Sequence, residues 1–525
     1  MKASILLKQS LFVLLFAPQS ILGIITTLER HDPIPPYTTG NTFALLGTNE
    51  YEYLKGTKQK LRKQHFSLEI MPFYQRASRG GDGCGCNAEL GDICGLWNMI
   101  ALLPFNGLDN VTPNFINTNV DLPCGYTFPR ILEDTRDQLL TEIDDLVNPT
   151  TKTRVPLQLR STQGLLQIQQ TNTTLSQSFG FFSTQMKYKK QGVRFNGQLY
   201  IGKGFGVTAQ SGFADIRQCA VFIDQTPTAQ TANPFNSLAP ESGGRYSAVY
   251  STTWVQITKK VSSLLMSHLD EIISNTQICY NSCDFHDTSI EDIYLELFWR
   301  QPITVNRDVA ADEYPKFLFI PYVAVGGSFG VAKERKPWQL VGLAFGNNGH
   351  NSLRARAGLS LDFYETVQLS LEGGITAFNK RRCNCYPVPN NTSQWPIFPF
   401  RTSVDIEPGA NWHVALAMNA EEFFDRFSFY FDYVYMSHDK DCIKLVCENN
   451  AAGEPEHPSK CRSDIHPLRP DVLWCKSDFS AQVFDGALNY AISPYVRLGI
   501  MMQIPFKRRQ AYRSSTFAAS IYASF

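Results

Sequence analysis

The sequence predicts an all-β protein: a transmembrane antiparallel β-barrel of 12 to 14 strands, with long disulfide-bearing loops that contain short helices. Three observations carry this prediction. Past residue 23 the chain has no apolar run of the ~18 residues a spanning helix needs, so a membrane has to be crossed by strands. Segment after segment alternates with a period of two between an apolar face and a charged face. Short turns also alternate with long cysteine-bearing loops, the asymmetry of a barrel with tight turns on one side of a bilayer and loops on the other.

Composition narrows the function classes. Lys plus Arg and Asp plus Glu are equal at 48 each, which argues against the basic face of a nucleic-acid binder. Charged residues at 18% and aromatics at 12% point to surfaces that touch something apolar. At the N-terminus, Lys2 and Lys8 flank the apolar run Leu11 to Phe16, and Gly23 offers a small residue for cleavage. Residues 1–23 therefore read as a secretory signal peptide, since the apolar core is too short to cross ~30 Å of hydrocarbon. Residues 24–65, with Pro33, Pro35, Pro36 and the basic run Lys58, Lys60, Arg62 and Lys63, read as a solvated leader or as a plug folded into a lumen. The barrel is assigned to 66–525.

The first strand is Phe66 to Gln75, with Phe66, Leu68, Ile70 and Tyr74 opposing Ser67, Glu69 and Gln75. An insert at about 79–173 follows, with four cysteines and a helical spacing of Ile131, Leu132, Leu139, Leu140, Ile143 and Leu146. Strands resume at Thr174 to Tyr188, turn at Lys189 to Gly192 and return from Arg194 to Ile201, with Val193 to Gln218 read as one strand or two. The motif Gly202 to Gly206, GKGFG, reads as turn chemistry, not a phosphate loop. A second insert, about 219–289, has a helical pattern from Ile257 to Ile272.

Further strands are expected at Ile290 to Arg300, Lys316 to Val331, Arg354 to Phe363, Val367 to Ala377, Val404 to Met418, Phe427 to His438, Phe479 to Tyr490, where Asp485 interrupts the parity, and Val496 to Ile504. The row Phe427, Phe429, Phe431, Tyr433, Tyr435 would aggregate in water and is stable against lipid.

The last stretch, Thr516 to Phe525, sets Phe517, Ala519, Ile521, Ala523 and Phe525 on one face, against Ala518, Ser520, Tyr522 and Ser524. This resembles the C-terminal signal strand of Gram-negative outer-membrane β-barrels. The resemblance implies that the strand closes the barrel on Phe66 to Gln75, that Phe517, Ile521 and Phe525 form an assembly signal read by the barrel assembly machinery, that 24–65 is periplasmic, and that the protein reaches the bacterial outer membrane through its cleaved signal peptide.

The thirteen cysteines suit an oxidising compartment and are expected to staple loops, the odd number leaving a free thiol or an intermolecular bridge. Cys84/Cys86 and Cys383/Cys385 have CxC rather than CxxC spacing, so no metal is expected. Gly326 to Gly330, GGSFG, matches the nucleophile-elbow pattern around Ser328 but lacks the helix that should follow, and no enzymatic activity or cofactor is expected.

The residues of interest are the charged ones on the face away from lipid: Glu69, Arg194, Glu296, Arg300, Arg354, Arg356, Asp362, Glu372, Asp405, Glu407, Asp432 and Arg497. Such groups sit at low cost around water, and rings of charge select solutes. They are expected to line a pore. The function expected is a porin-like channel for small hydrophilic solutes in contact with outer-membrane lipid, homo-oligomeric or not. Alternatives are a cysteine-cross-linked structural or adhesive surface protein, similar to the cysteine-rich major outer-membrane proteins of some intracellular bacteria, and a hydrophobic-ligand transporter plugged by 24–65.

Overall fold

The structure is a computed structural model that describes residues 66–98, 158–178, 181–224, 284–304, 317–446 and 470–525, apart from short gaps within them. Its main sheet is a closed antiparallel barrel of 12 strands. They are β1 (Phe66–Ala77), β2 (Phe181–Gly202), β3 (Phe205–Asp224), β4 (Phe285–Ile290 and then Ile293–Arg300), β5 (Phe317–Phe329), β6 (Ser352–Phe363), β7 (Val367–Phe378), β8 (Asn411–Phe424), β9 (Phe427–His438), β10 (Phe479–Ser493), β11 (Val496–Arg509) and β12 (Ser515–Ser524). Each pairs with its chain neighbours, and β12 closes on β1 in the register Ser67–Ser524 to Arg76–Ser515. Closure satisfies every strand edge, which hydrocarbon demands because it offers backbone groups no water.

The parity read from the sequence decides which face meets lipid. Phe195, Phe213, Leu297, Val325, Leu371, Leu416 and Ile500 stand exposed on the outer wall. With ~3.3 Å per residue and a strand tilt of ~40°, the outward stretch Phe205 to Phe213 rises about 20 Å, close to a bilayer's apolar depth. Connections at the end that holds Phe66 and Phe525 are short at 203–204, 364–366, 425–426 and 494–495, with 301–316 longer; the opposite end carries 78–180, 225–284, 330–351, 379–410 and 439–478.

Several boundaries differ from expectation. Lys189 to Gly192 is no turn: it lies inside the 22-residue β2, with Lys190 paired to Gln75 and Ile216. The reversal is at Lys203 and Gly204, both at positive φ (51° and 82°), the two-residue hairpin geometry of GKGFG. Val193 to Gln218 is therefore two antiparallel strands. The stretch from Val404 to Met418 is broken as well: Phe400–Glu407 leaves the barrel and pairs with Arg381–Val388 and Cys442–Leu445 in a separate sheet, while the wall begins again at Asn411. Asp485 does not break β10, because Phe479, Ala481, Val483, Asp485 and Ala487 all point inward and are buried.

The expected signal peptide at residues 1–23, residues 24–65 and both expected helices lie outside the described residues. Disulfide-stapled loops are not borne out among them: Cys84, Cys86, Cys219, Cys383 and Cys442 are free thiols. Cys219 sits in β3, and Cys383 and Cys442 lie on separate strands of the small sheet, opposite Val404 and Glu407 instead of each other.

The loops at the far end fold into a cap. Leu340, Val341 and Phe345 of the 330–351 loop, Val388, Phe398, Val404, Ile406 and Ile443 of the small sheet and its flanks, and Leu473 of the helix α1 (Pro470–Trp474) are buried in one apolar cluster with inward residues of the wall, among them Met71, Phe73, Tyr188, Ile216 and Phe285. The upper half of the lumen is thus apolar where it meets the cap.

Candidate functional site

Below the cap the inner wall changes character. Alternation makes every second residue face inward, and antiparallel register sets inward residues of adjacent strands side by side. In one such row Glu296 of β4 faces Gly326 of β5, which faces Arg354 of β6; one step along, Arg356 faces Gly374 of β7, which faces His413 of β8. Small residues at Gly326 and Gly374 leave room for long side chains to reach across them.

The reach is taken up by ion pairing. Arg356 donates from Nε to both carboxylate oxygens of Glu296 at 2.9 and 3.1 Å and from Nη2 to Oε1 of the same carboxylate. Its Nη1 approaches Glu372 at 3.4 Å, and Glu372 also contacts His413 Nε2 at 3.1 Å. Tyr322 donates its hydroxyl to Glu296 at 3.1 Å and lies 5.2 Å below the Arg356 guanidinium. Five strands, β4 to β8, thus contribute to one transverse band of paired polar groups, with the Arg356 and Glu372 side chains each only 2% exposed.

A second cluster sits higher, on β2 and β4. Between its two segments β4 carries an extra residue: Ile290 pairs with Phe213 but Tyr294 with Gln210. This bulge lets consecutive residues point to different partners. Glu291 turns to Arg194, 2.7 and 2.8 Å from Nε and Nη2, and to Lys190 Nζ at 2.8 Å; Arg194 also lies 4.1 Å above the Phe73 ring. Asp292 turns to the cap and accepts the backbone N–H of Ala332 at 3.1 Å and of Asn347 at 2.6 Å. Only glycine at 346 allows that approach, since a Cβ there would lie 2.3 Å from the carboxylate. A third, mostly uncharged chain runs Tyr188, Gln75, Thr516, Gln503 at 2.7, 3.0 and 3.2 Å across β2, β1, β12 and β11.

Of the expected pore residues, Glu69, Arg194, Glu296, Arg300, Arg354, Arg356, Asp362, Glu372, Asp432 and Arg497 project inward from barrel strands. Asp405 and Glu407 do not line the barrel: they belong to the cap sheet, where Asp405 pairs with Lys380 at 2.8 Å and Arg382 at 3.1 Å, hydrogen bonds that hold its carboxyl below the usual range. Lys190, Glu291, Asp292, His413 and Asp485 were not among the expected pore residues. Lys190 hid in a supposed turn and the two acids in a bulge that periodicity cannot reveal, whereas His413 and Asp485 sit on inward parity and were readable. Gly326 to Phe329 continue β5 as strand, and Ser328 is bonded to Ser352 at 2.7 Å and Asn347 at 2.8 Å.

Phe517, Ile521 and Phe525 face outward, and Phe525 exchanges backbone hydrogen bonds with Phe66 while its ring stacks on that of Phe66 at 6.2 Å.

No protein-family model matches the chain, and no curated protein does. Among solved structures it is similar to an outer-membrane channel from Pseudomonas putida F1, at 7% identity and a TM-score of 0.38 over 88% of this chain and 96% of that one. It is similar to the CymD monoaromatic hydrocarbon channel, at 8% identity and 0.28 over 88% and 89%, and to the translocator domain of the autotransporter NalP from Neisseria meningitidis, at 6% identity and 0.27 over 94% and 100%.

Proposed function

We propose that the protein is an outer-membrane channel, porin-like in plan, for small hydrophilic solutes. The observation that carries this reading is the transverse band from Glu296 through Arg356 and Glu372 to His413 on the inner wall of a barrel whose outer wall is apolar. Opposite charges set across a lumen orient dipolar solutes and oppose bulky apolar ones, which a wall built only for packing has no need of. The cap closes the loop end over this band, so conduction requires the 330–351 loop to move. Reconstitution into planar bilayers tests the reading: stepwise conductance is expected and should rise when residues 336–346 are replaced by a short glycine-serine linker. Folded protein that conducts in neither form overturns it.

A second reading rests on a different observation. Cys84 and Cys86 are exposed thiols in a turn at the loop end, where Asp82 Oδ1 accepts both of their backbone N–H groups at 2.9 and 2.7 Å and so presents them outward. This arrangement suits a surface protein cross-linked between copies. Non-reducing electrophoresis of envelopes decides it: a cross-linked coat runs as high-mass species that collapse on reduction and vanish in C84S/C86S, whereas unchanged monomer rejects it.

A further inference from the structure

The outer wall is not apolar all the way up. Arg76 of β1 is paired with Lys189 of β2, Lys189 with Arg217 of β3, and Arg217 with His286 of β4. Their sequence neighbours Gln75, Tyr188, Lys190, Ile216 and Phe285 are buried inward, so this row of basic residues points out. Lys187, opposite Cys219, adds a further cation two residues along. All five are exposed. Two rows lower the same strands present Pro72, Val193, Phe213 and Ile290 to lipid. The basic row therefore marks the border between the apolar band and the headgroups at the loop end.

Like charges directly opposite one another on neighbouring strands repel, so the successive pairings Arg76–Lys189 and Lys189–Arg217 need a counter-charge. The wall supplies two acids: Asp215 accepts from Arg217 Nε at 3.1 Å and contacts His286 Nε2 at 2.7 Å, and Asp284 accepts the Ala220 N–H at 3.2 Å beside Cys219, near Lys187 and Lys189. Arg76, Lys187 and Lys189 have no ion pair among the described residues. On β5, β6, β8 and β9 the outward residues near the loop end are Phe329, Leu353, Trp412 and Tyr435, whereas on β11 Lys507 and Arg509 carry charge there, Arg509 paired with Asp478 at 2.7 Å.

We infer that Arg76, Lys187, Lys189 and Arg217 form a binding site for the phosphate groups of an anionic lipid headgroup in the leaflet at the loop end. Charge, height and outward direction each fit that occupant. A guanidinium takes a phosphate through two parallel hydrogen bonds and lysines add point charges on either side. A soluble solute would have to reach the same groups through the headgroup layer, and a lumen solute cannot reach them at all. The site does not depend on whether the barrel conducts.

Native mass spectrometry of the detergent-solubilised full chain tests it, with bis-phosphorylated lipid A, the same lipid after phosphatase treatment, and inorganic phosphate as probes. Retention of the phosphorylated lipid is expected, with little of the dephosphorylated form. R76Q/K187Q/K189Q should lose it by about fivefold per cation removed, roughly 100-fold in all, which is what ~1 kcal/mol per basic residue at an anionic surface amounts to. K187R/K189R should retain it, and circular dichroism with heat-modifiable gel mobility establishes that each variant is folded. Equal retention of the dephosphorylated lipid, unchanged retention by the folded triple variant, or displacement by millimolar inorganic phosphate overturns the assignment.

Discussion

Replacing Arg356 by Met measures how far the transverse band holds the inner wall together. Arg356 is the hub of the transverse band, with a bidentate contact to Glu296 at 2.9 and 3.1 Å and a longer one to Glu372 at 3.4 Å. Its removal takes the hydrogen-bonded cation from two carboxylates whose side chains are 10% and 2% exposed, with Arg354 still near both and His413 in contact with Glu372. Breaking a buried ion pair from one side costs ~3–5 kcal/mol, whereas a solvated pair is worth ~0–1 kcal/mol. Exposure this low places the loss at about 3–5 kcal/mol. Urea unfolding of the refolded barrel in lipid vesicles, followed by tryptophan fluorescence, measures it, and R356M/E296Q/E372Q should recover most of the loss because no carboxylate is then stranded. In bilayers the single variant should also shift selectivity toward cations. A loss below ~1 kcal/mol would refute the reasoning, since the pairing within the band would then not hold the wall together.

Three other outcomes follow from the same geometry. Asp292→Ala orphans two buried N–H groups of the 330–351 loop and should lower cap stability by about 2–4 kcal/mol, with G346A acting the same way by crowding the carboxylate; limited proteolysis of the loop reports both, and unchanged protection would count against a latch there. Burial pushes the His350 imidazole below its ordinary value of 6.5, against the opposing pull of its Nδ1 contact with Asn379 O at 2.9 Å and of Asp441 and Glu334, while Arg381 adds to the depression. The opened loop then binds the extra proton, so cap protection should fall as pH drops through ~6.5 and lose that dependence in H350Q; a flat profile in the parent would refute this. Phe525→Ala removes the ring stacked on Phe66, and if Phe525 acts as an assembly signal, assembled barrel at the outer membrane should drop several-fold with export intact, whereas normal levels would reject that role.

What could be read from the sequence and what could not divides along the membrane boundary. Inside the apolar band each strand has lipid on one side, so a one-residue error of register would expose charge to hydrocarbon, and parity had to be kept. That is why the outward rows of β7, β9, β11 and β12 and the inward Glu296, Arg356 and Glu372 were legible. At the upper edge of the band β2 is polar on both faces, with Lys189 and Gln191 exposed and Lys190 in an ion pair, and a stretch with polar residues on both faces resembles a turn. The cap misled in the opposite sense. Val404 and Ile406 alternate as a wall strand would, but the apolar environment on their buried side is the cap core. Periodicity reports that one face is buried and says nothing about what buries it.

The bulge at Glu291 and Asp292 shows why the irregular places carry the connection between wall and cap. A regular β4 would send one of two consecutive acids outward toward lipid, at a cost of several kcal/mol near the apolar band. The extra residue instead leaves both buried, at 3% and 1% exposure, with Glu291 held by Lys190 and Arg194 and Asp292 by backbone of the 330–351 loop. The two sites therefore share one backbone distortion. Glu291→Gln should weaken its own ion pairs and, because the bulge positions Asp292, loosen the loop as well; proteolysis of that loop faster than in the parent is the expected result. Loss of wall stability with the loop fully protected would mean that the bulge is set by the backbone alone and that wall and cap are energetically separate.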